Sequence, residues 1–550
     1  MRSIRKLFHW SALLSGVFAF CLAANAKVIL NVQNGEEIRH LDPQLATEVG
    51  SAHININLFP GLYEYGHEKG EPVKGLAISH TVNADSTVWT FKIRTDYPWV
   101  KMENGAPKKM RMLNAHDIVY SFQRILNPAT VSEYAYMLYI LKNGEEFNKG
   151  KITDATQLGV KALDDSTVQL TLAGSVPSLI QYLPHHSFHV VAKEPIEQFK
   201  EKWIAKENIW TAGPFMLNDW KLKDRIVLGK NPFYPGAKDV QVDEVNFHFI
   251  GTYSPEAVRA FRAGKIDLDL QPPPTSDLAE LIKAKHLKVA RQLGTYFVRV
   301  NVKNKPFNDA RVRKALALTI PREEIVKFVM KSGQIPTYSF VPNAFEGYTA
   351  PKLTSLTDEA AQLAEAKKLL AEAGYPDGKG FPPSKYLYNT AENHKKVAVV
   401  LSKAWKEKLG IDVEPYNQEW KVYLNSQTNL DYQISRAGWV ADMADPMNFI
   451  EMFITDGGNN NTGYSNTDYD ALIKQARIEQ NLTKRNKLME KAEEILMRDL
   501  PIMPIFNYTS QSLVQHYVTG FHANKMDQHA LKFVKVDLAM RDKTFPNMTK

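Results

Sequence analysis

The chain has 550 residues, with 68 Lys plus Arg against 60 Asp plus Glu, a single cysteine, and 44% hydrophobic and 23% charged content. At roughly 100–200 residues per domain, this length predicts about three or four domain-sized units. A composition near the globular average excludes a disordered, collagenous or coiled-coil chain, and a dispersed net charge of +8 gives no footprint for nucleic acid.

The N-terminus carries Arg2, Arg5 and Lys6, an apolar run from about Trp10 to Ala23, and then Ala24-Asn25-Ala26. A charged segment, a short apolar segment and an A-x-A site together predict a secretory signal peptide over residues 1–26, cleaved after Ala26. Its three basic residues and lack of acids take the net charge from +8 to +5 in the mature chain. Cys21 follows Phe20 where a lipid-attachment site wants a small residue, so it is expected to leave with the leader. The mature chain then holds no cysteine, which excludes disulfides, thiol catalysis and thiolate metal sites.

Further along, Val28–Gln33 reads as a strand that stops at Asn34-Gly35, and Trp89–Arg94 alternates like a half-buried strand. Asn114–Leu126 places Ile118, Phe122 and Ile125 at helical spacing, ended by Asn127-Pro128. Val168–Leu172 and Ile226–Gly229 read as strands. From about residue 305 helices dominate: Arg311–Leu318, a segment opened by Pro321, Thr357–Ala373 closed by Gly374, and His394–Leu409 closed by Gly410. Two more helices are expected over about 467–479 and 483–498. Helices alternating with short strands give a mixed α/β class.

The chain lacks G-x-S-x-G, H-E-x-x-H, G-x-x-x-x-G-K-[ST] and G-x-G-x-x-G, so neither hydrolase nor ATPase signatures are present. His185, His186 and His189 are the one dense histidine group; the flanking Pro184 and Val190-Val191 favour ordinary histidines over a metal site. Asp445 before Pro446 has a plain helix-opening role. Asp442, among Trp439, Val440, Ala441 and Met443, is a desolvated carboxylate that needs a cation. Alternation puts Arg436 on the face of Tyr432 and Ile434, a second charge in apolar company. On the residues alone, each is either half of an internal ion pair, a solvated loop end, or a ligand group.

Several segments in order resemble the oligopeptide-binding proteins of bacterial ABC importers, the family-5 extracellular solute receptors. They are Leu41-Asp42-Pro43 with Leu58-Phe59-Pro60-Gly61-Leu62, Gly213-Pro214-Phe215 with Trp220, Asn231-Pro232-Phe233-Tyr234, Phe307–Leu316, Gln418–Lys421, Arg436–Asp442, and Tyr464-Ser465-Asn466 with Tyr469-Asp470. The resemblance covers nearly the whole mature chain. It implies an α/β periplasmic-binding-protein type II (cluster C) fold, with two lobes around a hinge and an additional domain. Mapped here, domain I is 27–59, 190–293 and 510–550, domain II is 60–189, and domain III is 294–509.

The resemblance also implies roles. Asp442 would meet the α-ammonium of a bound peptide. Glu48, Val49, Gly438, Trp439 and Val440 would lie on strand segments that hydrogen-bond its main chain, so that peptides are bound with little regard to sequence. Tyr134 would also reach the peptide, Trp420 and Trp439 would wall the side-chain pockets, and Arg436 and His394 would be cations for its carboxylate. Gln427 stands where relatives have a second arginine, Thr47 where an acid is common, and Gly294 and Val440 where some have a cysteine pair. The implied protein is a periplasmic monomer without catalysis or cofactor. It takes short peptides of about two to five residues to an inner-membrane ABC permease with separate ATPase subunits. The alternatives are the same fold binding a dipeptide, murein peptide, haem, nickel complex or other small solute, and, remotely, a secreted hydrolase.

Overall fold

The computed structural model describes residues 27–546 apart from Pro177 and Glu346. The expected leader and Cys21 lie outside the described residues. Among the described residues no helix is long and apolar enough to cross a membrane.

The molecule is built on an eleven-stranded sheet. Ten of its strands are β1 (Ile29–Gln33), β2 (Phe215–Lys221), β3 (Arg225–Lys230), β4 (Glu244–His248), β5 (Leu268–Asp269), β6 (Leu287–Val300), β7 (Ser384–Asn389), β8 (Val413–Gln418), β9 (Ile434–Val440) and β10 (Ile502–Val514). Their order is β2-β3-β4-β1-β5-β10-β6-β9-β7-β8, and Ile335–Pro336 pairs with β10 off this path. β1 is parallel to β4 and β5, and β6 is antiparallel to both β9 and β10. Leu293, Tyr296, Phe297, Val298 and Val300 of β6 are all buried, the continuous apolar run of a strand covered on both faces.

β6 and β10 connect the two halves of the sheet. Their register breaks between Arg291↔Thr509 and Thr295↔Asn507, so the expected domain border at 293/294 falls within an irregularity shared by two long strands, while the one at 509/510 falls just outside it, where Ser510 still pairs with Ala290. Residues 60–189 hold a separate antiparallel sheet of Ala77–Val82, Val88–Ile93, Thr167–Thr171 and Val160–Asp164. The helix Ala115–Leu126 packs there on Ile118, Phe122 and Ile125, with Asn114 and Asp117 forming a reciprocal capping box.

The other expected elements form within a residue or two of their reading: Ala310–Leu318, Glu359–Glu372, Glu392–Leu409, Thr467–Ile478 and Leu482–Asp499. Gly410 takes the left-handed conformation (φ 70°) that ends its helix. Pro321 precedes rather than opens its helix, whose first residue is Arg322.

Several segments that carried the resemblance fasten the fold. Asp42 accepts two bonds from Arg124 (2.6 and 3.1 Å) and one from Trp203 Nε1 (3.1 Å). Asn231 donates to Gly213 O (2.9 Å) and accepts from Phe233 N (3.0 Å). Arg313 donates to the carbonyls of Phe307, Asp499 and Leu500, the last two at the end of the helix Leu482–Asp499, where carbonyls lack partners of their own.

Candidate functional site

All ten residues implied as ligand contacts line one cavity: Glu48, Val49, Tyr134, His394, Trp420, Arg436, Gly438, Trp439, Val440 and Asp442. Its volume is ≈ 290 Å³, at the lower end of small-ligand pockets of roughly 300–1,000 Å³. The cavity lies beside β9.

β9 has a full neighbour on one side only. It pairs with β6 from Ile434 to Val440, whereas β7 reaches it only at Ile434 and Ser435. In an antiparallel ladder alternate residues turn both backbone groups to the partner. Ala441 N donates to Leu293 O at 2.6 Å, one step past Val440↔Gly294. Ala437 and Trp439 therefore face β6, while Gly438 and Val440 turn their N–H and C=O groups to the open edge. Gly438 has no room for a side chain, because a Cβ would overlap the Tyr508 hydroxyl.

Asp442 follows β9, its side chain 14% exposed. Asn448, fully buried, fixes it: Asn448 Oδ1 accepts from Asp442 N (2.9 Å) and Trp439 Nε1 (3.1 Å), and its amide donates to Asp442 Oδ2 (3.3 Å). From the 60–189 unit, His185 Nε2 lies 3.1 Å from Asp442 Oδ1, Tyr134 donates to the same oxygen at 3.5 Å, and the Tyr65 hydroxyl donates to Asp442 O. Burial, and then the Asp442 charge, hold Tyr134 well above the ordinary tyrosine range, so it stays a donor. Among the described residues no lysine or arginine pairs with Asp442.

Arg436 stands at the other end of β9. Its guanidinium donates to Tyr508 Oη (2.9 Å) and Asn389 Oδ1 (3.3 Å), lies 4.9 Å from the centre of the Tyr296 ring, and has a buried Nε with no partner. Burial pulls this group down, but the surrounding Tyr508, Tyr423, Tyr296 and Tyr253 more than offset it. It is a charged arginine without a carboxylate among the described residues.

Three expectations are corrected. Val49 is not on a strand but opens the helix Val49–Leu58, with Glu48 at its N-cap. The Glu48 carboxylate is occupied by Arg39 N (2.7 Å) and Ser51 Oγ (2.7 Å), which fixes the preceding loop and makes this a helix entrance rather than an edge strand. His394 lies in the cavity but is not a cation: burial, and then Arg436, push it well below its ordinary value, and its Nδ1 is 3.5 Å from Tyr296 Oη.

His186 and His189 bond to backbone carbonyls, Ala46 O (3.0 Å) and Pro184 O (3.3 Å), as ordinary core histidines do. Gly294 and Val440 are directly opposite on β6 and β9, so a cysteine pair there would bridge those strands. Gln427 points inward, donating to Ser435 Oγ (2.9 Å) and Arg436 O (2.8 Å).

Sequence reasoning missed the place at this site of Tyr65, His185, Tyr508 and Arg299, which the fold brings from distant segments, and of Asn448, six residues after Asp442. Two of them had a visible signal: His185 stood in the dense histidine group, read as ordinary histidines, and Arg299 is a charge within the apolar run Tyr296–Val300 of the kind that singled out Arg436.

Residues 71–461 match the family model "Bacterial extracellular solute-binding proteins, family 5 Middle". The periplasmic oligopeptide-binding protein OppA of Salmonella typhimurium is 34% identical over 533 residues, covering 94% of this chain and 96% of that one. The crystal structure of Haemophilus influenzae OppA in complex with RPPGFSPFR superposes with a TM-score of 0.86 at 32% identity, over 93% of this chain and 99% of that one. The Escherichia coli murein tripeptide binding protein MppA superposes at 0.87 and 31% identity, over 93% and 99%. Its unliganded open form reaches only 0.62, over 93% and 98%, so the lobes here are not arranged as in that open form. The chain belongs to the family-5 bacterial extracellular solute-binding proteins.

Proposed function

We propose that the chain is a periplasmic receptor that encloses a short peptide between its lobes and hands it, unaltered, to a membrane permease driven by separate ATPase subunits. The observation that carries this reading is an open strand edge flanked by opposite charges. Gly438 and Val440 offer backbone groups that a peptide can bond as an added strand, Asp442 offers an anion for its ammonium, and Arg436 offers a cation for its carboxylate. Arg436 and Asp442 are six residues apart, at most ~20 Å of extended chain, which suits a ligand of a few residues lying antiparallel to β9.

Domain borders at 59/60, 189/190, 293/294 and 509/510 suit this reading. The irregularity shared by β6 and β10 is then the flexure about which the lobes close, and Tyr65, Tyr134 and His185 reach Asp442 from the opposite lobe. Ligand contacts with both lobes favour the closed arrangement. Calorimetric titration of ligand-stripped mature protein with trialanine tests the proposal. Saturable binding with recovery of intact tripeptide is expected; no binding, or recovery of cleaved products, contradicts it.

A further inference from the structure

Arg299 is a second arginine on the cavity wall, 5% exposed and contributed by β6. Its contacts do not neutralise it: one bond to Gln427 Oε1 at 3.3 Å and one to Asn459 O at 3.5 Å, both long, and a buried Nε with no partner. The acidic group acting on it, Glu133, has Arg39 Nη2 at 3.9 Å. Burying a charge in this state is costly unless an anion completes it, and the cavity is where one can enter. Gln427, which stands where relatives carry an arginine, accepts from Arg299, so a positive charge reaches this part of the cavity from β6 instead.

The ladder says which part of a ligand would meet it. Arg299 is opposite Ser435 and Val298 is opposite Arg436. Opposed residues share a face and successive residues alternate. Arg299 therefore lies on the face of Phe297 and Trp439, and Arg436 with Tyr296 on the other. A peptide strand along the free edge of β9 directs its side chains alternately to these two faces.

Resting on the peptide-receptor reading, we propose that Arg299 forms the floor of a side-chain pocket selective for an acidic residue, and that the receptor favours peptides carrying glutamate or aspartate at the position facing it. Thr47 and Gln427, which line the same cavity, add polar but uncharged groups, so a basic side chain would meet no counter-charge from them there.

The test uses ligand-stripped wild-type protein and calorimetry with trialanine and tripeptides bearing a single Glu, Gln or Lys at each position in turn. At one position Glu is expected to bind at least tenfold tighter than Gln, with Lys weaker than both, and in Arg299→Gln the Glu-over-Gln preference is expected to vanish. Equal binding of Glu and Gln at every position of the wild type overturns the proposal without needing any variant, as does a preference that survives Arg299→Gln. Tetraalanine and its C-terminal amide separate the other source of a carboxylate: an Arg299-dependent loss confined to amidation assigns Arg299 to the chain terminus and overturns the side-chain pocket. If trialanine and all the tripeptides fail to bind the wild type, the receptor reading fails and this inference falls with it.

Discussion

Asp442 Oδ1 lies 3.1 Å from His185 Nε2, a contact between the end of strand β9 and the segment that closes residues 60–189. Neither His185 nitrogen makes a hydrogen bond of good geometry, so among the described residues of 60–189 the carboxylate is held only by the long bond from the Tyr134 hydroxyl at 3.5 Å. Its orientation comes from its own side, through Asn448.

Asn448 is therefore a positioning residue that acts through Asp442 and Trp439. Asn448→Ala is expected to weaken trialanine binding by about 1–3 kcal/mol, the usual effect of leaving buried polar groups unsatisfied, while N-acetyl-trialanine, lacking the ammonium, changes much less. Equal losses for both ligands in calorimetry would make Asn448 a general packing residue instead.

Gly438 sits against Tyr508, whose hydroxyl accepts from Arg436 at 2.9 Å. Gly438→Ala is expected to displace Tyr508 and lower unfolding stability by about 1–3 kcal/mol. Tyr508→Phe, which removes the overlapping hydroxyl, is expected to restore part of that loss in the double variant. A strictly additive double-mutant cycle in urea unfolding would contradict the overlap.

Arg436 holds no carboxylate partner among the described residues and stands at one end of the open edge. Arg436→Ala is expected to weaken one peptide length by about 3–5 kcal/mol and its shorter and longer neighbours far less. Uniform losses across di-, tri- and tetraalanine would mean that Arg436 holds the fold rather than the ligand.

Stability should fall on acidification through buried histidines. Burial holds His189 down to about 4 from an ordinary 6.5. In the unfolded chain it binds a proton below 6.5, while the folded form resists until about 4, so its contribution is complete above pH 6.5 and is lost as pH falls towards 4. The total is on the order of 3 kcal/mol. Glu451 and Glu493, held at about 7 by burial, act in the opposite sense: their contribution is complete below 4.5 and is lost as pH rises through 7. In His189→Gln the slope of unfolding free energy between pH 6.5 and 4.5 is expected to flatten by about one proton; an unchanged slope would show that His189 takes up its proton in the folded state.

The helices after residue 305 were legible because their apolar positions recur at helical spacing and their ends carry caps, as in Glu392–Leu409 with Gly410. The helix Val49–Leu58 was not legible, because it is buried on nearly all sides and buries polar groups. His53, Asn55 and Asn57 are all inside, and Asn57 Oδ1 accepts from Leu531 N, 474 residues away. No periodicity marks such a helix. Asp442 and Arg436 could be found as charges in apolar company, whereas Asn448 and Tyr508 could not, since their roles depend on what the fold sets beside them. His394 misled for the same reason: its residue type suggests a cation, and only its burial beside Arg436 removes the proton.

The most direct test of the account is calorimetry of ligand-stripped protein with trialanine against N-acetyl-trialanine, in wild type and Asp442→Asn. Acetylation is expected to cost the wild type about 3–5 kcal/mol, the penalty for leaving a buried charge unpaired, and to cost Asp442→Asn little, because the anion is already gone. If the two ligands bind the wild type equally, Asp442 does not receive an ammonium and the peptide-terminus account is wrong.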